Sequence, residues 1–368
     1  MNVQELTHDL VAIPSVSRDT NKEVADRSEA ALLEAGFSVE RLLYIDDAGV
    51  EKFNLVGKKG DGQGGLGFFS HSDTVPGDEG WEPYAPRIAD GRLYGRGSCD
   101  MKGPLSASIV AASQVNANDL KHPVFIGVTS DEEVGHAGAK QISAESATLA
   151  AAWPQFAVVC EPSLMTPVYA HKGAITIVVT AHGVAAHSST DKGESANFKM
   201  APFLVEMSEL AKEFKSNPGY RNGEFDPPTN GFNMVINDGG TAANVTAAKS
   251  VCTVCLRSMP RSGSEAIERL ILERVTAYGF EVQTFGHAVF YSDRDSTLAR
   301  TACELTGHEQ AITVPYGTEA VTYQNFAETI VMGPGNVAQA HTVGEYIELD
   351  QLDRAVDVYR RLIKKLCQ

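Results

Sequence analysis

The chain has 368 residues, 43% of them hydrophobic and 21% charged, the balance of a folded globular protein long enough for two domains. A formal net charge of −16 argues against nucleic acid or an anionic membrane surface as the main partner. No run approaches the 18 apolar residues of a membrane span, the start is a poor signal peptide and the six cysteines show no disulfide pattern, so cytoplasmic residence is expected.

In chain order, residues 3–13 and 22–36 read as helices, the second stopping at Gly36. "FNLVGKKGDGQGGLGFFSH" reads as two strands around a glycine-rich hairpin turn, because its glycines precede a strand rather than a helix. "MKGPLSASIVAASQVNAN" reads as a helix, "HPVFIGVTS" as a strand, "AGAKQISAESATLAA" as a helix and "QFAVVC" as a strand. That alternation is the signature of an α/β sheet. Near residue 173 the rhythm changes. "AITIVVTAHG", a long amphipathic helix, "NMVINDGG", "SVCTVCLRSMP", a second helix and "FEVQTFGH" follow in the order β-α-β-β-α-β, a self-contained two-layer unit of ferredoxin-like type. The remainder resumes with helix, strand and a closing helix. The expected organisation is a mixed-sheet α/β domain over 1–172 and 286–368 with an α+β domain, 173–285, inserted in it. Cys252 and Cys255 form "CTVC" on a strand, where residues three apart face opposite ways, so a metal or redox role is not expected.

In open α/β sheets functional groups collect beyond the carboxyl ends of the strands. His71 and Asp73 follow "LGFFS"; Asp131, Glu132 and Glu133 follow "VFIGVTS"; Glu161 follows "FAVVC". His341 lies in a loop after "TIVM", and Asp100 precedes a helix in "GRGSCDMKG". Two imidazoles with several carboxylates form a mixed N/O set that suits zinc, cobalt or manganese, and suits two ions sharing a carboxylate and a water. Adjacent Glu132 and Glu133 cannot easily point the same way, so one can bind metal while the other faces water as general base. Asp73 can hold the far nitrogen of His71.

"HSDTVP", "GRGSCDMKG", "TSDEEVG", "CEPS", "GVAAHSS" and "AHTVGEY", in this order and spacing, resemble the dinuclear zinc metallopeptidases that include acetylornithine deacetylase, succinyl-diaminopimelate desuccinylase, aminoacylase and related carboxypeptidases. The resemblance runs from "LVAIPSVS" to the last helix. It implies a zinc-exopeptidase-like catalytic domain, an inserted lid and dimerisation domain, and two Zn2+ per subunit. It implies Asp100 as the bridging carboxylate, His71 and Glu161 on one ion and Glu133 and His341 on the other. Glu132 is implied as general base and Asp73 as the orienter of His71. His187 in "GVAAHSS" matches a histidine that in dimeric members reaches the partner's active site and helps hold the oxyanion. Arg257 and Asn244 match positions that bind a substrate carboxylate, for which the guanidinium fork is suited. "YAHKGAI", "VPYGTEA" and "GPGNVAQAHTVGEYIE" resemble the acetylornithine deacetylase branch, where Glu319 would face a basic substrate side chain. The resemblance therefore implies a homodimeric hydrolase of a small N-acyl amino acid, N2-acetyl-L-ornithine first. Another N-acyl amino acid, a succinylated diamino acid or a dipeptide is the nearest rival. A non-catalytic metal- or peptide-binding protein on the same fold is the remote one.

Overall fold

The computed structural model describes all residues from Met1 to Gln368. The chain divides into two units. The first comprises Met1–Ala170, Tyr291–Ile312 and Thr318–Gln368; the second comprises His171–Phe290 and Thr313–Gly317.

The first unit is organised by a nine-stranded mixed sheet. From one edge its strands run Ser38–Ile45, Glu51–Lys59, Val124–Thr129, Leu66–His71, Phe156–Pro162 and Glu328–Gly333, followed by the short strands Val168–His171 and Phe290–Tyr291, with Ile312–Val314 against Val168–His171. The four strands from Val124–Thr129 to Glu328–Gly333 are parallel neighbours. Leu66–His71, Val124–Thr129 and Phe156–Pro162 are buried at every position, as strands covered on both faces must be. Adjacent residues show the two faces directly. Phe68 packs against Tyr359 of the C-terminal helix Leu349–Cys367, at 4.8 Å between ring centroids, while Phe69 stacks on Tyr323 of Ala320–Tyr323 at 4.0 Å. Helix Lys102–Ser113 is buried almost all round, because it packs against both the sheet and the C-terminal helix. No helix is long and apolar enough to cross a membrane.

The glycine-rich segment is not a hairpin turn. Strand Val124–Thr129 lies between Glu51–Lys59 and Leu66–His71, antiparallel to the first and parallel to the second. The glycines serve a close approach instead. A Cβ on Gly65, whose φ is +87°, would stand 1.9 Å from the Pro123 carbonyl oxygen. The loop is thus pressed onto the start of the intervening strand. The hairpin occurs one strand earlier, where Ser38–Ile45, not anticipated from the pattern, pairs antiparallel with Glu51–Lys59. Its turn is closed by the Asp46 carboxylate, which accepts from the N–H groups of Ala48 and Val50 at 2.9 and 2.8 Å.

The second unit is a four-stranded antiparallel sheet in the order Phe232–Asn237, Lys249–Leu256, Ala174–His182, Glu281–His287, the strand order of a β-α-β-β-α-β fold. Helices Ala196–Ser216 and Ser264–Tyr278 cover one face, with Ile177, Val179, Phe203, Val254 and Ile271 in the core between. Cys252 lies in that core and Cys255 faces the other side, as strand alternation requires.

Gly65→Ala combines a left-handed backbone with a steric clash, so it is expected to cost about 2 kcal/mol or more. Gly49→Ala, at φ +81° with nothing within 4 Å, is expected to cost about 1 kcal/mol or less. Thermal unfolding of the two variants side by side checks the difference; equal midpoints would contradict the close approach at Gly65.

Candidate metal centre

The four adjacent parallel strands deliver their carboxyl ends to one rim. His71 is the last residue of its strand and lies in register with Thr129, two residues before Asp131 of the Asp131–Glu132–Glu133 loop. Glu161 lies near the end of Phe156–Pro162. The strand Glu328–Gly333 feeds the loop that carries His341. Asp100 stands two residues before helix Lys102–Ser113.

These side chains converge into two groups that share one residue. His71, Asp100 and Glu161 form one; Asp100, Glu133 and His341 form the other, with the candidate ligand atoms of each within 4.8 Å of one another. The two oxygens of Asp100 face different groups. Oδ1 is 3.0 Å from His71 Nε2, and Oδ2 is 3.4 Å from His341 Nε2. His71 Nε2 is also 3.5 Å from Glu161, and His341 Nε2 is 3.0 Å from Glu133. A carboxylate divided in this way between two N/O groups is the arrangement that holds two ions side by side.

The orientation of His71 comes from its other nitrogen. Nδ1 lies 3.0 Å from the backbone carbonyl of Asp73. A carbonyl only accepts, so Nδ1 carries a proton and Nε2 is the atom left for a ligand role. The Asp73 carboxylate is 3.6 Å from Nδ1 and has a second task. It accepts from the Ser17 hydroxyl at 2.7 Å and from the N–H groups of Glu132 and Glu133 at 3.2 and 3.4 Å. One side chain thus locks the carboxylate loop beside the imidazole.

Asp131 fixes the same loop from behind. Its φ is +58°, in the left-handed region that few non-glycine residues enter and Asp enters more readily than most. Here Tyr44 donates to its carboxylate at 2.6 Å and the buried Lys52 ammonium lies 3.1 Å away. Lys52 also donates to the carbonyls of Ser17 and Asp19. Glu132, the neighbour of ligand-facing Glu133, has Oε1 3.3 Å from His136 Nε2. Ser17, Tyr44, Lys52 and His136 were not picked out by sequence reasoning. Each acts through partners distant in the chain or through a turn conformation, and only Ser17 lies in a quoted motif.

Charge bears on what the cluster can hold. Burial raises the Glu132 carboxyl to about 7, with the negative charges of Asp100 and Asp73 adding to it and the imidazoles opposing. Burial and the Asp100 charge lift Glu161 well above the ordinary carboxylate range. Burial opposes a charged His71, but its bonds to Asp100 and Asp73 outweigh that and hold it well above its ordinary value. Asp100 and Glu133 raise His341 to about 10. Burial disfavours charge on Asp100 as well, yet the bonds from His341 and His71 hold its carboxyl well below the usual range. Crowded acids and proton-retaining imidazoles are the mark of a group that needs added positive charge, so the residues fit two divalent ions.

The remaining candidates lie elsewhere. In the second unit, His187 pairs with Val245 in an isolated antiparallel bridge, and Ser188 N–H donates to the Asn244 carbonyl at 2.9 Å. His187 and Asn244 are therefore neighbours on one exposed loop pair, and the Arg257 side chain is also exposed. Glu319, in the first unit, is 1% exposed. Its oxygens accept from the Thr129 hydroxyl at 2.8 and 2.9 Å, and Tyr323 donates to it at 3.3 Å. Burial, then the Glu132 charge, raise its carboxyl to about 7.

Protons on His71 and His341 compete with metal, so zinc affinity is expected to rise with pH through the acid and neutral range, with net proton release on binding. Calorimetric titration of zinc into metal-free protein, in two buffers of different ionisation enthalpy, measures the release. Uptake without release would contradict the raised imidazoles.

Comparison with known proteins identifies the family. The description of peptidase family M20/M25/M40 matches residues 67–365. The chain is 36% identical over 378 residues to an acetylornithine deacetylase of Myxococcus xanthus, covering 98% of this chain and 96% of that protein. It is 32% identical over 383 residues to one of Proteus mirabilis, covering 99% and 96%. Among solved structures, a tripeptidase of Staphylococcus aureus superposes with a TM-score of 0.75 at 19% identity, covering 99% of this chain and 97% of the other. An M20 family metallo-carboxypeptidase of Sulfolobus solfataricus gives 0.75 at 14% identity and 99% of both chains; these two likenesses bear on the fold alone. With the family match spanning His71 to His341 and the shared Asp100 between two N/O groups, this chain belongs to peptidase family M20/M25/M40, as a metal-dependent amidohydrolase.

Proposed function

We propose that the chain hydrolyses the amide bond of an N-acyl amino acid, with N2-acetyl-L-ornithine as the first candidate and L-ornithine and acetate as products. The observation that carries hydrolysis is the placement of Glu132: a largely buried carboxylate next in the chain to the candidate ligand Glu133, on the loop that Asp73 ties beside His71. The acetylornithine deacetylases among the relatives support the substrate.

Two ions held by His71, Asp100, Glu161, Glu133 and His341, zinc in the first instance, would polarise the amide carbonyl and acidify the attacking water. Glu132 takes the proton from that water as it adds to the carbonyl carbon. It then gives the proton to the leaving amine. His136, 3.3 Å from Oε1, holds one oxygen of the Glu132 carboxylate. His187 donates to the tetrahedral oxyanion, and Arg257 with Asn244 takes the substrate's α-carboxylate. Glu319 is the acid proposed for the basic end of ornithine. In that role its carboxylate exchanges the Thr129 hydroxyl for the substrate's ammonium.

The second unit is proposed as lid and dimerisation domain, its His187 serving the partner subunit's site. Apolar side chains left in the open support an interface there. Phe198 and Val205 on helix Ala196–Ser216 are 83% and 64% exposed, and Val235 and Ile236 are exposed on the edge strand Phe232–Asn237.

Glu132→Gln is expected to keep its metal and lose roughly 10²–10⁴-fold in kcat; near-normal turnover would remove Glu132 from the role. Zinc-loaded enzyme is expected to prefer N2-acetyl-L-ornithine over N-succinyl-diaminopimelate, N-acetyl-methionine, N-acetyl-citrulline and a simple dipeptide. Preference for another of these would keep the hydrolysis and replace the substrate. Phe198→Asp with Val205→Asp is expected to give a monomer by light scattering with activity reduced in parallel, and a fully active monomer would argue against His187 acting across subunits.

A further inference from the structure

One buried ion pair belongs to none of the roles above. Arg96, in "GRGSCD", and Glu345, in "HTVGEY", are 1% and 0% exposed by side chain, with Arg96 Nη1 2.7 Å from Glu345 Oε2. The other oxygen of Glu345 faces the turn that carries Asp100. Oε1 accepts from the N–H of Cys99 at 2.9 Å and from the N–H of Asp100 itself at 3.1 Å. Glu345 lies four residues beyond His341, so it connects the loop of one candidate ligand to the backbone of the shared one.

Further contacts tie the same two segments together. The Gly95 N–H donates to the Glu345 carbonyl at 2.9 Å. The Cys99 thiol donates to the Asn336 carbonyl at 3.3 Å. A Cβ on Gly335, at φ +88°, would stand 2.7 Å from Cys99 Sγ, so the His341 loop rests directly on the Asp100 turn. A carboxylate beside Asp100 is electrostatically adverse; the Arg96 guanidinium, itself facing Asp78 at 3.5 Å and Trp81 at 5.4 Å, offsets it. Buried ion pairs are poor sources of stability, since apolar replacements of similar size are often as stable. Their use lies in fixing one arrangement. A carboxylate bound to two successive N–H groups fixes the orientation of the peptide from which the Asp100 side chain departs.

We propose that Glu345, with Arg96 as its buried counter-ion, is a positioning residue that registers the His341 loop against the Asp100 turn and thereby sets the spacing of the two metal subsites. The proposal rests on the two-ion reading of the centre but not on the substrate, so metal binding tests it directly.

Three variants separate positioning from packing. Arg96→Met/Glu345→Gln removes both charges but leaves a carboxamide oxygen to accept from Cys99 and Asp100. Arg96→Met/Glu345→Leu removes the charges and the acceptor at similar volume. Glu345→Asp keeps the charge but withdraws the carboxylate by one methylene. Zinc stoichiometry and affinity, and the visible spectrum of the cobalt-loaded protein, are read beside the thermal midpoint of each metal-free variant. The Leu variant is expected to fold, to lose about 10–100-fold in affinity for at least one ion and to show an altered cobalt spectrum. The Gln variant is expected to recover both readouts toward wild type, and the Asp variant to fall between. Two zinc ions bound by the Leu variant with wild-type affinity and spectrum would overturn the proposal. Failure of Glu345→Asp to fold would also overturn it, in favour of an ion pair that serves folding alone. A wild-type protein that takes up no zinc would instead remove the metal-centre reading on which the proposal stands.

Discussion

Everything at the centre turns on one carboxylate with two oxygens. Asp100 sends Oδ1 toward His71 and Oδ2 toward His341, and a side chain with a single acceptor atom could not serve both groups. The requirement is positional as well as chemical. The imidazoles come from segments 270 residues apart (341 − 71), so the carboxylate works only if the sheet brings their loops to the same rim. Four adjacent parallel strands do this, because parallel strands place all their carboxyl ends on one side. The shared residue itself arrives from a different direction, from a turn that enters a helix buried between sheet and C-terminal helix.

Crowding acids in a buried place is costly, and the surrounding structure is arranged to hold them there. The Asp73 carboxylate bonds the N–H groups of Glu132 and Glu133; Lys52 and Tyr44 hold Asp131 in a left-handed conformation. His341 is also left-handed, at φ +60°. Strained backbone at such residues persists only where the neighbours over-determine it. The proton affinities follow from the same crowding. Burial and the like charges of Asp100 and Asp73 raise the Glu132 carboxyl, with His71 and His341 opposing.

The second unit has a different physical character. Its core is a single layer of apolar side chains between a four-stranded sheet and two helices, and it leaves Phe198 and Val205 in the open. His187, Asn244 and Arg257 are exposed polar groups on this unit. That contrasts with the metal-binding candidates, nearly all of which are enclosed.

Much was legible in the chain alone. The order of strands and helices distinguished the two kinds of unit, and the rim was marked by the coincidence of polar residues after several apolar strands, since a lone histidine or a run of acids after one strand is usually only solvated. The separation of Cys252 from Cys255 followed from strand geometry. Other features were out of reach. The glycine-rich segment looked like a hairpin because local pattern does not show which strands are neighbours; the close approach of Gly65 to Pro123 is a contact between residues far apart in sequence. Ser17, Tyr44, Lys52, Arg96 and Glu345 carry no local signal of their roles, since each acts by bonding a distant backbone or carboxylate. Residue type and position after the strands singled out the candidate groups, and the resemblance, not the spacing, divided Glu132 from Glu133. Only the tertiary structure decided how the oxygens of Asp100 divide between the two imidazoles, because that depends on distances that the chain acquires when the sheet is assembled.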